Sequence, residues 1–333
     1  MNKIQFDKSN LYILFTAVLL AAFIFFGYLE FEVWGQVEYY RSGYVNAGGF
    51  FVSPHMLRYM VVHPVYEISA ALGFDLNAVY TWYLFISAIV VSKVWASVRR
   101  SYTQSKRSFS FLIAIPLILL FFVNGRFVFG LLGLSFFLKC VVDLEFERFN
   151  FFHFSLIFFG ILFSSVSSGV FFVGVVFLLV SLFDLYRRRP GFIAFPMKVV
   201  LLVPVVLVSF FSLIFLQKNF TYFVEQSGSA IGILKHGFGF LIVPDAFHDL
   251  CGSGRGSLQC SVLSIFNGEA RFLLAFIILG LLILFLLAFK KFSIVPEVAF
   301  RGLCISVLGG VFGFTTLFSF IFVIPIFFLN KRK

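Results

Sequence analysis

Charged side chains are scarce in this chain. Asp, Glu, Lys and Arg together make up 12% of the 333 residues, against 61% hydrophobic residues and a mean hydropathy of +1.02. A soluble core of this size cannot bury that much apolar surface, so a water-soluble enzyme is excluded. Sequence that water would tolerate is limited to two sizeable interruptions, residues 30–75 and 217–271, which hold four of the five histidines. Nucleotide and hydrolase signatures are missing too. No Gly-x-Gly-x-x-Gly opening a helix after a strand, no P-loop, no His-Glu-x-x-His and no Gly-x-Ser-x-Gly occurs, which leaves nucleotide-driven chemistry without support. A convincing internal repeat is absent, which weighs against an inverted-repeat transporter. A small-residue cleavage site is absent after the apolar stretch 11–29, which is long enough to span and is expected to stay as a first helix. Even the 54 phenylalanines lack a period; they scatter over every apolar segment and carry no functional weight.

The composition therefore predicts a single membrane domain over 1–333, all-α and polytopic, with about ten transmembrane helices and two large extracytoplasmic loops. A crossing needs roughly 20 mostly apolar residues, fewer where the bundle is thin. Candidate spans are 11–29, 77–95, 108–123, 127–142, 150–165, 169–185, 193–216, 272–289, 298–313 and 314–330. Asn124-Gly125-Arg126 and the serine-rich stretch 164–169 each divide two apolar segments, as a tight hairpin or a broken helix. Residues 56–72 are weakly apolar and are expected to lie along the interface or dip into it.

Orientation follows from Lys and Arg, which resist translocation. With the N-terminus inside, 19 of the 26 basic residues fall on the inner side; Arg41, Arg58, Arg126, Lys218, Lys235, Arg255 and Arg271 remain outside. The net charge of +11 is then a topology signal and an attraction to anionic lipid, with no nucleic-acid partner required. This topology puts both interruptions outside and both termini inside. Cys251 and Cys260 flank a Gly/Ser-rich run in the second of them, where an oxidising face permits a disulfide; two unpaired thiols are the alternative. Cys140 and Cys304 lie in apolar spans. A zinc site is not expected, because no second ligand pair accompanies His248.

Four groups of residues are candidates for chemistry. Arg126, after Asn124 and Gly125, puts a permanent guanidinium at or below the outer interface, where it meets an anion such as phosphate or else snorkels from a hairpin. The serines 164–168 occupy the matching end of the next helix pair; their hydroxyls bind sugar or phosphate oxygens, or bond back onto helix carbonyls. The first loop clusters Glu38, Tyr39, Tyr40, Arg41, His55, Arg58, His63, Tyr66 and Glu67. Aromatic rings stack on pyranose faces and a carboxylate or imidazole accepts a hydroxyl proton. On a 56–72 helix, His63 and Glu67 are four apart and share a face. The second loop supplies Glu225, His236, Asp245, His248, Asp249, Arg255 and Arg271.

The stretch from Asn124-Gly125-Arg126 through Gly130-Leu131-Leu132-Gly133 and Lys139 to Ser164-Ser165-Val166-Ser167-Ser168-Gly169-Val170-Phe171-Phe172, with the acidic-aromatic Glu38-Tyr39-Tyr40, resembles the Wzy/EpsG-type polysaccharide polymerases. The pattern departs from EpsG-type members where Ser164-Ser165 stands in place of a His followed by small residues, and where Glu38 replaces an Asp. The resemblance implies metal-free, cofactor-free glycosyl transfer at the outer face of a bacterial inner membrane. The donor would be a growing glycan on undecaprenyl pyrophosphate, and the acceptor a lipid-linked repeat whose hydroxyl attacks the donor's anomeric carbon. Its implied partners include a chain-length regulator and a flippase. Arg126 would neutralise the departing pyrophosphate, with Asn124, Arg41, Arg58, Ser165 and Arg271 as further binding residues. His63, His248 or Glu38 would be the base. Two rival readings stand beside it. Glu30-Phe31-Glu32 after the first span resembles the paired acids of membrane glycosyltransferases that use lipid-phosphate sugars, although the chain ends in Lys331-Arg332-Lys333 where those enzymes append an outer domain. The other rival is a flippase for lipid-linked glycans.

Overall fold

The structure is a computed structural model describing residues 8–50, 56–102, 110–120, 125–189, 296–311 and 321–327, with the single positions 210, 213 and 217. Every regular element among the described residues is helical. In chain order these are α1 Lys8–Phe25, α2 Gln36–Asn46, α3 Leu57–Leu72, α4 Leu76–Tyr102, a 3₁₀ turn Ser110–Ala114, α5 Ile115–Leu119, α6 Gly125–Leu144, α7 Phe151–Ser164, α8 Ser168–Arg188, α9 Glu297–Val311 and α10 Ile324–Phe327.

Three of the described helices, spanning 76–102, 126–144 and 169–188, are long and apolar enough to cross a membrane. Large apolar side chains such as Phe15, Phe183 and Phe151 project outward, surface that water would reject and lipid would cover. Membrane association follows. The three crossings are not equivalent. In α6, 83% of the most apolar stretch is buried against protein, compared with 56% in α4 and in α8. It is the axis of the bundle, packed on α4, α7 and α8.

Glycine is what lets the neighbours come so close to α6. A Cβ on Gly133 would fall under 3.0 Å from the Ser164 amide nitrogen and 2.8 Å from the Gly160 carbonyl oxygen, so α6 and α7 meet backbone to backbone. Four residues on, the Phe137 ring fills the space left by two more glycines. A Cβ on Gly160 of α7 would come within 2.5 Å of that ring, and one on Gly174 of α8 within 2.7 Å. Polar atoms inside the bundle are chained together: Trp95 Nε1 donates to Ser135 Oγ (2.9 Å), which donates to the Leu131 carbonyl (2.7 Å).

Helix ends obey local chemistry. Asn150 and His153 form a capping box at the start of α7, each side chain accepting the other's amide at 3.2 Å. α3 stops at Gly73, whose φ of +68° is a left-handed conformation that a side chain would strain.

The paired contacts set helix direction. Tyr80 meets Phe129, Trp95 meets Ser135 and Tyr102 meets Glu145, so α4 and α6 run parallel. α8 runs with them and α7 runs against them. One end of the bundle therefore collects Arg58, Arg126 and the α7–α8 connection. The opposite end carries Arg99, Lys139, Asp143, Glu145, Arg188 and Arg301, where Lys139 pairs with Asp143 (2.5 Å), Arg301 with Asp184 (2.6 Å) and Arg188 with Glu297 (3.2 Å).

Several expectations are sharpened. The interruption 30–75 is not an irregular loop: it folds into α2 and α3, and α3 packs on α4 and α7. Segment 164–169 is a tight hairpin, closed by the Ser167 amide on the Ser164 carbonyl (3.3 Å). Of the expected span 108–123, residues 110–119 form a 3₁₀ turn running into a five-residue helix with Pro116 in its first turn, where the missing amide costs nothing, and 108, 109 and 121–123 lie outside the described residues. The first helix ends at Phe25 rather than at residue 29, because the chain reverses through Gly27 at φ +73° and returns the Tyr28 and Leu29 amides to the Phe23 carbonyl. Of the remaining candidates, 193–216 lies outside the described residues apart from 210 and 213. The span 272–289 lies wholly outside them, and 314–330 is described only over 321–327.

Candidate functional site

The α7 backbone ends with carbonyls that no further turn can satisfy. One of them, on Ser165, accepts the Arg58 Nε at 3.1 Å. The same guanidinium donates from Nη1 to the Tyr40 hydroxyl (2.9 Å) and sits 5.5 Å from the centre of the Tyr40 ring. Arg58 thus joins α3, α2 and the C-terminus of α7, a position where the helix dipole favours a cation. It is 7% exposed. Burial weakens its hold on its proton while the Tyr40 hydroxyl opposes that effect, and an arginine stays cationic under both.

Arg126, in the first turn of α6, lies within electrostatic reach of Arg58 and of the Tyr40 and Tyr80 hydroxyls. Its position is costly: the positive end of a helix dipole carries a cation, beside a second cation held in a buried setting. Around it packs an aromatic shell. Phe129, one turn along α6, contacts Tyr80 (6.1 Å), Trp34 (6.5 Å) and Tyr83 (5.2 Å) between ring centres. The strand-like stretch carrying Trp34 is tied to α4, with the Phe31 amide on Thr81 Oγ1 (2.9 Å) and the Val33 amide on Asn77 Oδ1 (3.3 Å).

The other flank of α3 carries a groove of about 460 Å³, lined by residues that include Arg41, Tyr44, Tyr59, His63, Tyr66 and Glu67. Helical spacing creates it, since Tyr59, His63, Tyr66 and Glu67 recur at intervals of three, four, seven and eight on one face. His63 Nδ1 is 2.9 Å from the Tyr59 hydroxyl and 3.7 Å from Glu67 Oε1. Both neighbours thus meet the same ring nitrogen and define how the imidazole is held. Glu38, on α2, is already engaged: Arg41 donates to it at 3.1 Å and the Tyr66 hydroxyl at 3.3 Å. The Arg41 guanidinium also lies 4.7 Å over the Tyr66 ring. Burial first, and then the Glu38 carboxylate, push the Tyr66 phenol up to about 12, so it remains a neutral donor.

Arg58, Arg126 and Ser165 from the sequence-derived set thus converge, and Glu38, Arg41 and His63 gather on the neighbouring groove. The serine hydroxyls do not turn toward either. Ser164 Oγ donates to the Ile161 carbonyl (3.3 Å) and Ser165 Oγ to the Leu162 carbonyl (2.6 Å), so Ser165 serves through its carbonyl instead. Arg58 and His63 are five residues apart, roughly 140° round the helix. The cation pair and the groove therefore occupy different flanks of α3, linked through Tyr40 and Arg41 on α2. Asn124, His248, Arg271, Cys251 and Cys260 lie outside the described residues; Cys140 is a buried thiol that donates to the His153 carbonyl (3.9 Å).

Sequence reading placed Tyr40 only in an aromatic sugar-stacking cluster and gave no role to Tyr59, Tyr80 or Trp34. The α3 spacing makes Tyr59 findable, as an i–4 neighbour of His63. Nothing local pairs Trp34 with Tyr80, which lie 46 positions apart; their rings meet at 6.3 Å because the Trp34 segment is bonded to α4 at Thr81 and Asn77. Compared with protein-family models, curated proteins and solved structures, the chain matches none.

Proposed function

We propose that the chain is a polysaccharide polymerase, a glycosyltransferase that joins undecaprenyl-pyrophosphate-linked oligosaccharide repeats at the outer face of a bacterial inner membrane. The observation that carries this reading is that Arg58 and Arg126 lie within electrostatic reach of one another on one flank of α3, with an aromatic and imidazole groove on the other. Two guanidiniums within electrostatic reach of one another suit a dianionic leaving group. The groove adds what a sugar needs: tyrosine faces for the ring and ionisable groups for the hydroxyls.

In this reaction the acceptor hydroxyl gives its proton to a base as its oxygen bonds to the donor's anomeric carbon. The bond from that carbon to the pyrophosphate oxygen breaks, and undecaprenyl pyrophosphate departs with the electron pair, its charge met by Arg126 and Arg58. His63 lies on the groove flank of α3, where Tyr59 and Glu67 both approach Nδ1 and leave Nε2 for a sugar hydroxyl; Glu38 is committed to Arg41 and Tyr66, so neither is placed beside the departing pyrophosphate as the base. No metal or cofactor is invoked.

The topology belongs to the same proposal: both termini inside, with Arg58 and Arg126 at the outer end. Reporters fused after Arg189 and after Gly252 are expected to give inside and outside signals. Deleting the gene should leave surface glycan one repeat long, and Arg126→Ala should reproduce that phenotype with the protein still in the membrane. Complete loss of glycan export would indicate a flippase instead, and full-length chains lacking a side sugar a single-sugar transferase. Normal chain lengths in Arg126→Ala would remove the pyrophosphate assignment.

A further inference from the structure

The groove on the second flank of α3 sets two unlike hydrogen-bonding groups side by side, and the bonds around them decide which is which. Tyr59 is buried, so its phenolic proton is satisfied by an acceptor inside the protein. A guanidinium offers donors alone, so Arg41, which reaches the same hydroxyl, engages its oxygen and not its proton. Among the described residues the acceptor left is His63 Nδ1, at 2.9 Å. With Nδ1 accepting, the neutral imidazole carries its own proton on Nε2, and the ring presents a donor. Glu67 is the opposite case. Its exposed carboxylate only accepts, and its approach to His63 Nδ1, at 3.7 Å, is too long for a hydrogen bond. The tyrosine rings supply a wall: Tyr59 lies 5.4 Å from Tyr44 and 5.9 Å from Tyr66 between ring centres. The volume of about 460 Å³ is that of an ordinary small-molecule site.

We infer that this groove selects an uncharged pyranose, held by two neighbouring hydroxyls: one accepts from His63 Nε2–H, the other donates to the Glu67 carboxylate, and a ring face rests on the tyrosines. This rests on the reading of the groove as a sugar site and adds which sugars it admits. A hydroxyl both donates and accepts, so an adjacent pair matches a donor and an acceptor set side by side, whereas a carboxylate or an ammonium answers only one of them. Charge sharpens the choice. Arg41 is paired with Glu38 at 3.1 Å, which leaves the Glu67 carboxylate as the unbalanced charge on the groove, and the carboxylate of an acidic sugar is repelled by it.

The full chain, in a detergent without a sugar headgroup and at low ionic strength, is titrated with the methyl pyranosides of glucose, galactose and mannose and with the corresponding methyl uronosides. Binding is followed by saturation-transfer NMR on the ligand protons. At least one neutral pyranoside is expected to bind, and its uronoside about tenfold more weakly. Glu67→Gln removes the charge and keeps an acceptor, so it should close most of that gap; the ratio of two affinities within one variant does not depend on how much of it is folded. His63→Gln restores an N–H donor and should keep more affinity than His63→Ala. Tyr59→Phe leaves Nδ1 without its donor and should weaken neutral-sugar binding with His63 still in place. A wild-type chain that binds the uronosides as tightly as the pyranosides, a ratio unchanged in Glu67→Gln, or no binding of any pyranoside overturns the inference. The failures are separable. Charge discrimination that depends on Glu67, in a chain whose Arg126→Ala variant makes normal glycan, would sink the polymerase reading alone. Loss of chain extension in Arg126→Ala, with pyranosides and uronosides bound equally by wild type, would sink only the selectivity.

Discussion

Replacing Gly133 by alanine tests the packing on which the site depends. The added Cβ meets backbone, not a side chain that can swing away: the Ser164 amide and Cα and the Gly160 carbonyl oxygen all lie under 3.0 Å from it. Accommodation requires α7 to retreat from α6. Overpacking of this kind costs about 1–3 kcal/mol, and alanine returns about 0.5–1 kcal/mol through its better helical propensity. The net expectation is a loss of about 1–2 kcal/mol, or about 5–30-fold in the folded-to-unfolded ratio. The internal control is Gly130→Ala. Its Cβ meets only the Val170 side chain, at 3.1 Å for the nearest methyl, and a small rotation relieves it; stability should stay near wild type. Thermal unfolding of the detergent-solubilised variants at one scan rate gives the comparison. Because α7 carries the Ser165 carbonyl that receives Arg58, Gly133→Ala should also shorten glycan chains, whereas Gly130→Ala should not. A Gly133→Ala protein as stable as wild type, or one no worse than Gly130→Ala, would refute the close α6–α7 approach.

Other expectations follow from particular contacts. Arg58→Lys keeps the charge but loses the fork that bonds Ser165 and Tyr40 together, so chain extension in a whole-cell glycan assay should fall at least tenfold; near-wild-type extension would make the fork irrelevant. His63→Ala, at a half-exposed position in the groove, should reduce extension without lowering the thermal midpoint, and Glu67→Gln should reduce it less. Asp184→Asn at the opposite end removes the anion shared by Arg188 and Arg301; a loss of about 1–3 kcal/mol is expected from Arg301, which is buried more than its partners, with chain extension in the surviving fraction unaffected. The raised phenol of Tyr66 makes an alkaline prediction. A folded-state value above the unfolded one adds stability that is complete below about pH 10 and disappears as pH rises through about 12. Tyr66→Phe should flatten that loss in an alkaline titration of the thermal midpoint, and an unchanged slope would contradict the Glu38 contact.

The bundle was legible where period and hydropathy act locally. Expected spans 77–95, 127–142, 150–165 and 169–185 all lie on helices of the structure, within a few residues at most ends, because each is an apolar run bounded by polar or serine-rich breaks. The α4 helix extends past its expected end, carrying Arg99 and Arg100 in its last turn, where the helix dipole favours cations. Within 108–123, residues 110–119 are a 3₁₀ turn leading into α5, a distinction from continuous α-helix that hydropathy does not make. In the site, the i,i+4 rule placed His63 and Glu67 together correctly. The serine hydroxyls were the opposite case: their neighbours along the helix competed for them and won.

By itself the sequence determined that the chain is helical and membrane-associated, and that Arg126 heads a helix. Those properties depend on solvent preference and on contacts within one turn or two. Only the tertiary structure decided that Arg58 would reach across 107 positions to cap α7, that it would stand beside Arg126, and that Trp34 and Tyr80 would meet over Phe129. Such meetings are set by how closely α6 lets its neighbours approach, which glycines at 133, 160 and 174 make possible and no local pattern encodes.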